Sequence, residues 1–596
     1  MAGTVADRVS PLDPPERGGQ RILILTLLAL GIALLVVARF NAISGVVLPF
    51  LQQAADPTLY ALDFGIRHSV VPDSSPFFTV LAALRLDLTH PVFVIASYLI
   101  VTLLAGYGVV RIIRRLAPDA DRTLIAALLF ALIFADAKLI DFNKSSWISE
   151  HNFSFTFIAA ALRFWFVYYA LDRRYVAMAA LLIPINMLSF KVGWPLLGFA
   201  GLILLHARVR SPWPWLAIAA SLVVPAIAAL RTQGGIDSGD TAAMFALFNA
   251  LHAGEDNPFA GPWFQAPLFL GGSAIGWWLA GRLDGAASAA IRAILFGSLI
   301  VYVVGGLYLS FGGAVVPLPL AVLLSPARAL ETASFVIYLL VLLWIARTSR
   351  LQGVERPGAM LAAILLKVAP DGKWVVLSLA VAIGVVALAM LRRLAIRRGI
   401  RWPGIAARIG LPLGIALVAP LLGAFFALNL SGQRGAYRYD PSLGFYDAAT
   451  PANALPMLRS IAREPDDRRL LFVWERNGTL VEAPWSTAVR KSGIDGDLYY
   501  LGSPATIARQ ARVNRDHADL LAGLNAGAVD PGLAARVAAL CVTLVMPRDA
   551  SPAVGDWRVV REHGAWVELV PPVAPSDARR DCAPIADLSP APGARS

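Results

Sequence analysis

The chain has 596 residues, of which 57% are hydrophobic and only 15% charged, where a soluble globular chain carries about 25% charged residues. With a mean hydropathy of +0.63, this excludes an ordinary soluble protein and points to a polytopic membrane protein. The net charge of +12 does not mark a nucleic-acid binder, because the arginines are dealt out in small groups between apolar runs, as membrane topology requires.

Residues 1–20 are polar and Pro-rich and read as a disordered cytoplasmic tail. The first apolar run, about Ile22–Phe40, has no small-residue cleavage site after it and reads as a retained span. A mixed loop, 41–90, follows; after Ile43–Gln53, which suits a helix lying in the interface, it contains Asp56-Pro57-Thr58-Leu59-Tyr60-Ala61-Leu62-Asp63. If helical, its two carboxylates share one face about 10 Å apart; Asp-Pro is equally a turn opener. Further spans are expected at about Pro91–Val110, Leu124–Ile140 and Phe153–Leu171, with Glu150 and His151 at the mouth of the last. Arg163 falls inside that span, and either pairs within the bundle or reaches inward to the headgroups.

Two spans then form a hairpin whose short turn holds Lys191 between Phe190 and Trp194. A span from about Trp213 leads into a second long loop, 231–264, containing His252. Spans to Arg282 and over Ile294–Phe311 precede a Pro-broken segment that ends in Ser325-Pro326-Ala327-Arg328-Ala329-Leu330-Glu331. Spans over Thr332–Ala346, a hairpin through Pro370-Asp371-Gly372-Lys373 and Ile409–Leu428 complete about 13 transmembrane helices within 21–430. Counted from a cytoplasmic N-terminus, the Arg-rich turns at 111–122, 172–174, 206–210, 282–292, 347–356 and 392–401 all fall inside. Both long loops, the Pro-Ala-Arg segment and residues 431–596 then lie outside.

Residues 431–571 alternate helical stretches with strand-like runs at 469–474, 541–546 and 566–570, the pattern of an extracytoplasmic α/β domain. Residues 572–596 read as a disordered tail. Cys541 and Cys582 are the two cysteines. A disulfide between them would close a loop of about 41 residues and stabilise the domain by about 4 kcal/mol; the alternative is a buried Cys541 and a free Cys582. No CxxC or HExxH spacing occurs, so no metal site is assigned.

The order of a large first external loop, about a dozen spans and an external α/β domain resembles the GT-C glycosyltransferases, which take a sugar from a polyprenyl-phosphate lipid on the outer face of the membrane. A closer likeness is to bacterial GT-C-like integral membrane proteins. These carry an Asp-Pro-x-Leu-Tyr/Phe-x-x-Asp element, matched by Asp56 through Asp63, a His-containing central stretch ending in Trp, similar to Phe248–Trp263 with His252, and a late Pro-x-Arg, similar to Pro326-Ala327-Arg328. The usual central stretch has Arg and paired His, whereas this one keeps His252 alone.

The resemblance implies Asp56 as catalytic carboxylate, with Asp63 second, because partial burial at the interface raises a carboxylate toward a useful pKa. Arg328 is the candidate for the leaving phosphate, since its rigid fork of donors suits phosphate oxygens. Lys191, His252, His151 and Glu150 are candidate substrate contacts. Some GT-C enzymes use a divalent metal such as Mg or Mn and others do not, and the scattered external carboxylates fit both. The implied partners are the bilayer, a polyprenyl-phosphate-linked sugar donor and a glycan, lipid or protein acceptor, in a bacterial inner membrane with the C-terminal domain in the periplasm. Two alternatives stand beside the enzyme: a non-catalytic GT-C-like envelope scaffold, and a transporter or flippase of lipid-linked substrates, for which no internal repeat is visible.

Overall fold

The computed structural model describes residues 91–120, 155–223, 225–227, 257–260, 265–316, 325–348, 372–398, 437–440, 442–447, 450–462, 469–476, 478–482, 504–539 and 542–570, with isolated positions between them. Asp56, Asp63, Glu150, His151, His252, Cys541 and Cys582 lie outside the described residues, as do the first and last expected spans.

The apolar part is helical throughout its described length: α1 (Pro91–Leu116), α2 (Phe155–Leu171), α3 (Tyr175–Ala180), α4 (Leu182–Leu188), α5 (Phe190–His206), α6 (Pro212–Ser221), α7 (Gln265–Ala280), α8 (Gly285–Ser310), α9 (Ala329–Arg347) and α10 (Gly372–Arg397). Among the described residues, Gly285–Ser310, Pro326–Arg347 and Val376–Arg397 are long and apolar enough to cross a bilayer, and shorter apolar helices accompany them. In lipid the helix is the open choice for such runs, because every backbone N–H and C=O must be satisfied within the segment.

The basic turns sit where the helices stop, and four of the six meet in space. Arg115 pairs with Asp284 at 2.8 Å and with Asp172 at 3.9 Å. Arg347 pairs with Asp119 and lies 3.5 Å from the Leu116 carbonyl, which accepts from it. Asp284 also caps α8, accepting from the backbone N–H groups of Ala286 and Ala287 at 3.1 and 2.9 Å. Such a cap satisfies donors the helix itself cannot. The ends of α1, α2 and α9 and the start of α8 are thus gathered at one arginine-rich end. The starts of α2 and α9 and the end of α8 point to the other.

Between α4 and α5 the hairpin is tighter than the sequence suggests. Only Ser189 is extended, so Lys191 lies in the first turn of α5 and not in a loop. Helix α10 is largely uncovered within the described chain, with Val376, Ile383, Met390 and Leu391 all at least 59% exposed, as befits a face turned to lipid. Among the described residues it holds a buried ion pair, Arg392 with Glu355, at 2.7 and 3.1 Å.

Residues 437–570 hold a different architecture. β1 (Tyr437–Asp440) and β2 (Gly444–Asp447) form a hairpin. Then come α11 (Leu455–Ala462), β3 (Arg469–Arg476), β4 (Thr479–Glu482), α12 (Pro504–Asn525), α13 (Pro531–Ala539), β5 (Val542–Pro547), β6 (Arg558–His563) and β7 (Trp566–Val570). The five-stranded sheet has the order β4-β3-β5-β7-β6, with β3 and β5 parallel and the other neighbours antiparallel. Side chains alternate across it with the period of two that strands impose. Leu471, Val473, Leu544 and Met546 pack with Leu520 and Leu533 of α12 and α13, while Trp474, Val545 and Trp566 pack with Met457 and Ile461 of α11.

Candidate functional site

The site is built on the segment that leads into α9. Ser325 is buried and takes a left-handed backbone conformation, φ 50° and ψ 69°, which a non-glycine residue holds only where its surroundings fix it. Pro326 can then open a single 3-10 turn, Pro326–Arg328, in which the Arg328 N–H donates to the Ser325 carbonyl at 2.9 Å. The turn is pinned from below: Ser298 of α8 donates its hydroxyl to the Ala329 carbonyl at 3.1 Å, and both residues are fully buried.

A Gly-Gly step in α8 receives two elements side by side. A Cβ on Gly305 would stand 2.7 Å from Pro326, and one on Gly306 would stand 2.6 Å from the ring of Phe259. Real Cβ contacts are not that short, so only glycine lets the Arg328 turn and the central loop seat together on this helix. The loop is clipped to the same helix end by two asparagines. Asn257 Nδ2 donates to Ser310 Oγ at 3.0 Å while its Oδ1 accepts from the Phe259 N–H at 2.9 Å, and Asn249 Nδ2 donates to the Leu309 carbonyl at 3.0 Å. These anchors flank His252 in sequence. Helix α5, with Lys191 in its first turn, packs against the Pro326–Arg328 turn from another side.

Beneath the turn, Arg163 of α2 is paired with Glu331 in the first turn of α9, at 2% and 5% exposure. The ring of Phe164 meets that of Phe335 edge-on at 4.8 Å and holds the two helices in register. Arg163 therefore pairs within the bundle. Lys191, in the first turn of α5, and Arg328, at the end of the turn, are further basic residues of the elements that meet here. Arg328, partly buried, offers the planar donor fork that fits phosphate.

Of the residues singled out from sequence, the structure brings the Lys191 helix and Arg328 to one place. Glu331, Ser298, Asn249, Asn257 and the Gly305-Gly306 step carry the assembly, and no motif announces them. Two signals were present: a Gly-Gly pair within an apolar helix, and two lone opposite charges, Arg163 and Glu331, in separate apolar runs. Among the described residues no group of three or more His, Cys, Asp or Glu is placed to hold a metal ion.

No protein-family model matches the chain, and no curated protein matches it. A solved structure similar to it is the crystal structure of ArnT from Cupriavidus metallidurans bound to undecaprenyl phosphate, 14% identical, with 94% of this chain and 99% of that chain covered at a TM-score of 0.41.

Proposed function

We propose that this protein is a membrane glycosyltransferase of the GT-C type, moving a sugar from a polyprenyl-phosphate donor to an envelope acceptor on the outer face of a bacterial inner membrane. The observation that supports it most is the seating of the Arg328 turn between the Lys191 helix and the clipped central loop, at the end of the bundle opposite the arginine-rich turns. By the positive-inside rule that end is the outer one.

In this reading the acceptor hydroxyl attacks the anomeric carbon. The bond from that carbon to the phosphate oxygen breaks, and the electron pair leaves with the polyprenyl phosphate. The Asp56 carboxylate, with Asp63 as its second, takes the acceptor proton. Arg328 donates to the oxygens on which negative charge develops, and fixed donors aimed at such charge are the largest single source of rate in many enzymes. Lys191 adds a second cation nearby. Glu150, His151 and His252 are assigned to contacts with donor or acceptor, and a divalent ion such as Mg or Mn, where used, would share the leaving phosphate.

The test is turnover of a panel of polyprenyl-phosphate sugars by purified protein in lipid, with membrane extract as acceptor pool, for wild type, Asp56→Asn and Arg328→Ala. Transfer by wild type that is lost in both variants is the expected result. Lipid binding with no transfer across the panel would leave the envelope-scaffold reading in its place.

A further inference from the structure

At the arginine-rich end of the bundle, Asp284 and Asp172 pair with Arg115, Asp172 also with Arg174, and Asp119 with Arg347. Arg282 and Arg292 stand at the same end and pair with none of these carboxylates. What they meet among the described residues is tryptophan. The Arg282 guanidinium lies 3.7 Å from the centre of the Trp278 ring, and that of Arg292 lies 5.2 Å from the centre of the Trp277 ring.

The two guanidiniums reach this place by different routes. Arg282 follows Trp278 by four residues, the spacing at which side chains on a helix meet. Arg292 lies eight residues beyond the Asp284 cap, about 12 Å along α8, and its side chain runs back toward the start of the helix, as helical side chains do. Its Nη2 lies 2.7 Å from where a Cβ on Gly281 would stand, so the bare backbone at 281 leaves room for it. Its Nε is buried and has no hydrogen-bond partner among the described residues. Trp278 is fixed from behind by Trp344 of α9, edge-on at 6.2 Å.

Both indoles are open on the outer side, at 43% and 49% exposure, and they continue an exposed apolar face of α7 that includes Leu270 and Ile275. An aromatic ring attracts a cation through its face and uses none of the N–H donors at the guanidinium edge. Those donors suit phosphate oxygens. A cationic head above an apolar helix face is complementary to an anionic amphiphile.

We propose that the Arg282–Trp278 and Arg292–Trp277 pairs form a binding site for an anionic glycerophospholipid, whose phosphodiester lies on the two guanidiniums and whose acyl chains follow the exposed face of α7. A zwitterionic lipid carries the same phosphate, but its own ammonium group opposes the arginines. The transfer reaction need not operate for this site to fill. Tryptophan and arginine that serve only as interfacial anchors would set the depth of the helix and would not distinguish one headgroup from another.

The experiment titrates purified protein in neutral detergent with phosphatidylglycerol, with phosphatidylcholine of the same acyl chains, and with glycerol phosphate. Bound lipid is counted by native mass spectrometry, and thermal unfolding is followed alongside. Wild type is compared with Arg282→Gln plus Arg292→Gln, with Gly281→Ala, and with Arg208→Gln plus Arg210→Gln, which removes two exposed arginines after α5. Wild type is expected to prefer phosphatidylglycerol and to unfold at a higher temperature in its presence. The 282/292 variant should lose about tenfold or more of that affinity, the scale of one charge-assisted hydrogen bond, with phosphatidylcholine binding unchanged. Gly281→Ala displaces the far end of the Arg292 side chain and should lose part of the affinity without lowering the lipid-free unfolding midpoint. The 208/210 variant should bind as wild type does.

Equal losses in the two double variants would mean bulk attraction by net charge and would overturn the proposal. So would equal wild-type affinity for the two lipids, the outcome for interfacial anchors. Glycerol phosphate competing as well as the lipid would overturn it in favour of a small-anion site.

Discussion

Gly193 sits directly over Asn186, so close that a Cβ at position 193 would overlap the Asn186 Oδ1. Asn186 is 1% exposed. Its Nδ2 donates to Ser221 Oγ at 3.2 Å, and that hydroxyl donates on to the Ile218 carbonyl at 2.7 Å. The contact ties α4, α5 and α6 together below Lys191. Gly193→Ala is expected to cost about 1–3 kcal/mol through overpacking, read as a lower unfolding midpoint in lipid. Adding Asn186→Ala should recover most of it, and an unchanged midpoint in the single variant would refute the packing argument.

The Gly306–Phe259 contact predicts a different outcome, a loss of function larger than the loss of fold. Gly306→Ala pushes the Phe259 ring, which is 40% exposed and packs edge-on against Tyr302 at 5.4 Å, and with it the loop that carries His252. Transfer should fall by about tenfold to a hundredfold, the scale of a misplaced catalytic element, with a small change in unfolding midpoint. Gly306→Ala with Phe259→Leu should regain activity. If the double variant is no better than the single one, the loop is not what position 306 controls.

Glu355 and Arg392 form a bidentate pair at 2% and 8% side-chain exposure. Removing one charge takes from the other its bidentate partner in a buried setting, at a cost of about 3–5 kcal/mol. Glu355→Gln and Arg392→Met should each lower the unfolding midpoint sharply. The double replacement Glu355→Leu with Arg392→Met should return it close to wild type, and a double variant as poor as the singles would show that the pair does more than cancel itself.

Asp440 accepts from the Arg459 guanidinium, and those hydrogen bonds hold its carboxyl below the usual carboxylate range, helped by the backbone N–H groups of Ser442 and Leu443. The folded value lies below the unfolded one of about 3.9. Its contribution to stability is therefore fully present above pH 4 and is lost as pH falls through the folded value. In wild type, unfolding of the 437–570 region, followed by tryptophan fluorescence, should become easier on acidification below pH 4. Asp440→Asn should flatten that acid limb. An identical limb in both proteins would place the acid sensitivity in another carboxylate.

The helix ends are legible in the sequence because groups of arginines mark them directly, and Asp172, Asp284 and Asp119 lie beside them in the chain. The Pro-Ala-Arg turn was legible too, as proline cannot continue the preceding segment. What was not legible is the partner of each long-range contact. Nothing local to Arg163 names Glu331, which lies 168 residues away. Lys191 reads from the sequence as a turn residue because Ser189, Lys191 and Gly193 interrupt two apolar runs. In three dimensions one extended residue suffices to turn the chain, since Gly193 lets α5 close onto α4. The glycines at 305 and 306 carry no chemistry of their own, and their role is visible only when Pro326 and Phe259 are seen resting on them.

Two buried ion pairs among the described residues differ in how long the ribosome must wait for them. Glu355 and Arg392 are 37 residues apart, so they can leave the insertion machinery as one hairpin with their charges already matched. Arg163 is made 168 residues before its partner, an interval of about 8 to 34 s at ordinary rates of synthesis. For that time α2 carries its guanidinium without the Glu331 carboxylate. It must be held by the insertion machinery, or by water and headgroups, until α9 arrives. The closing of this pair thus comes after most of the described bundle helices have already been made, as the distance along the chain between one arginine and one glutamate requires.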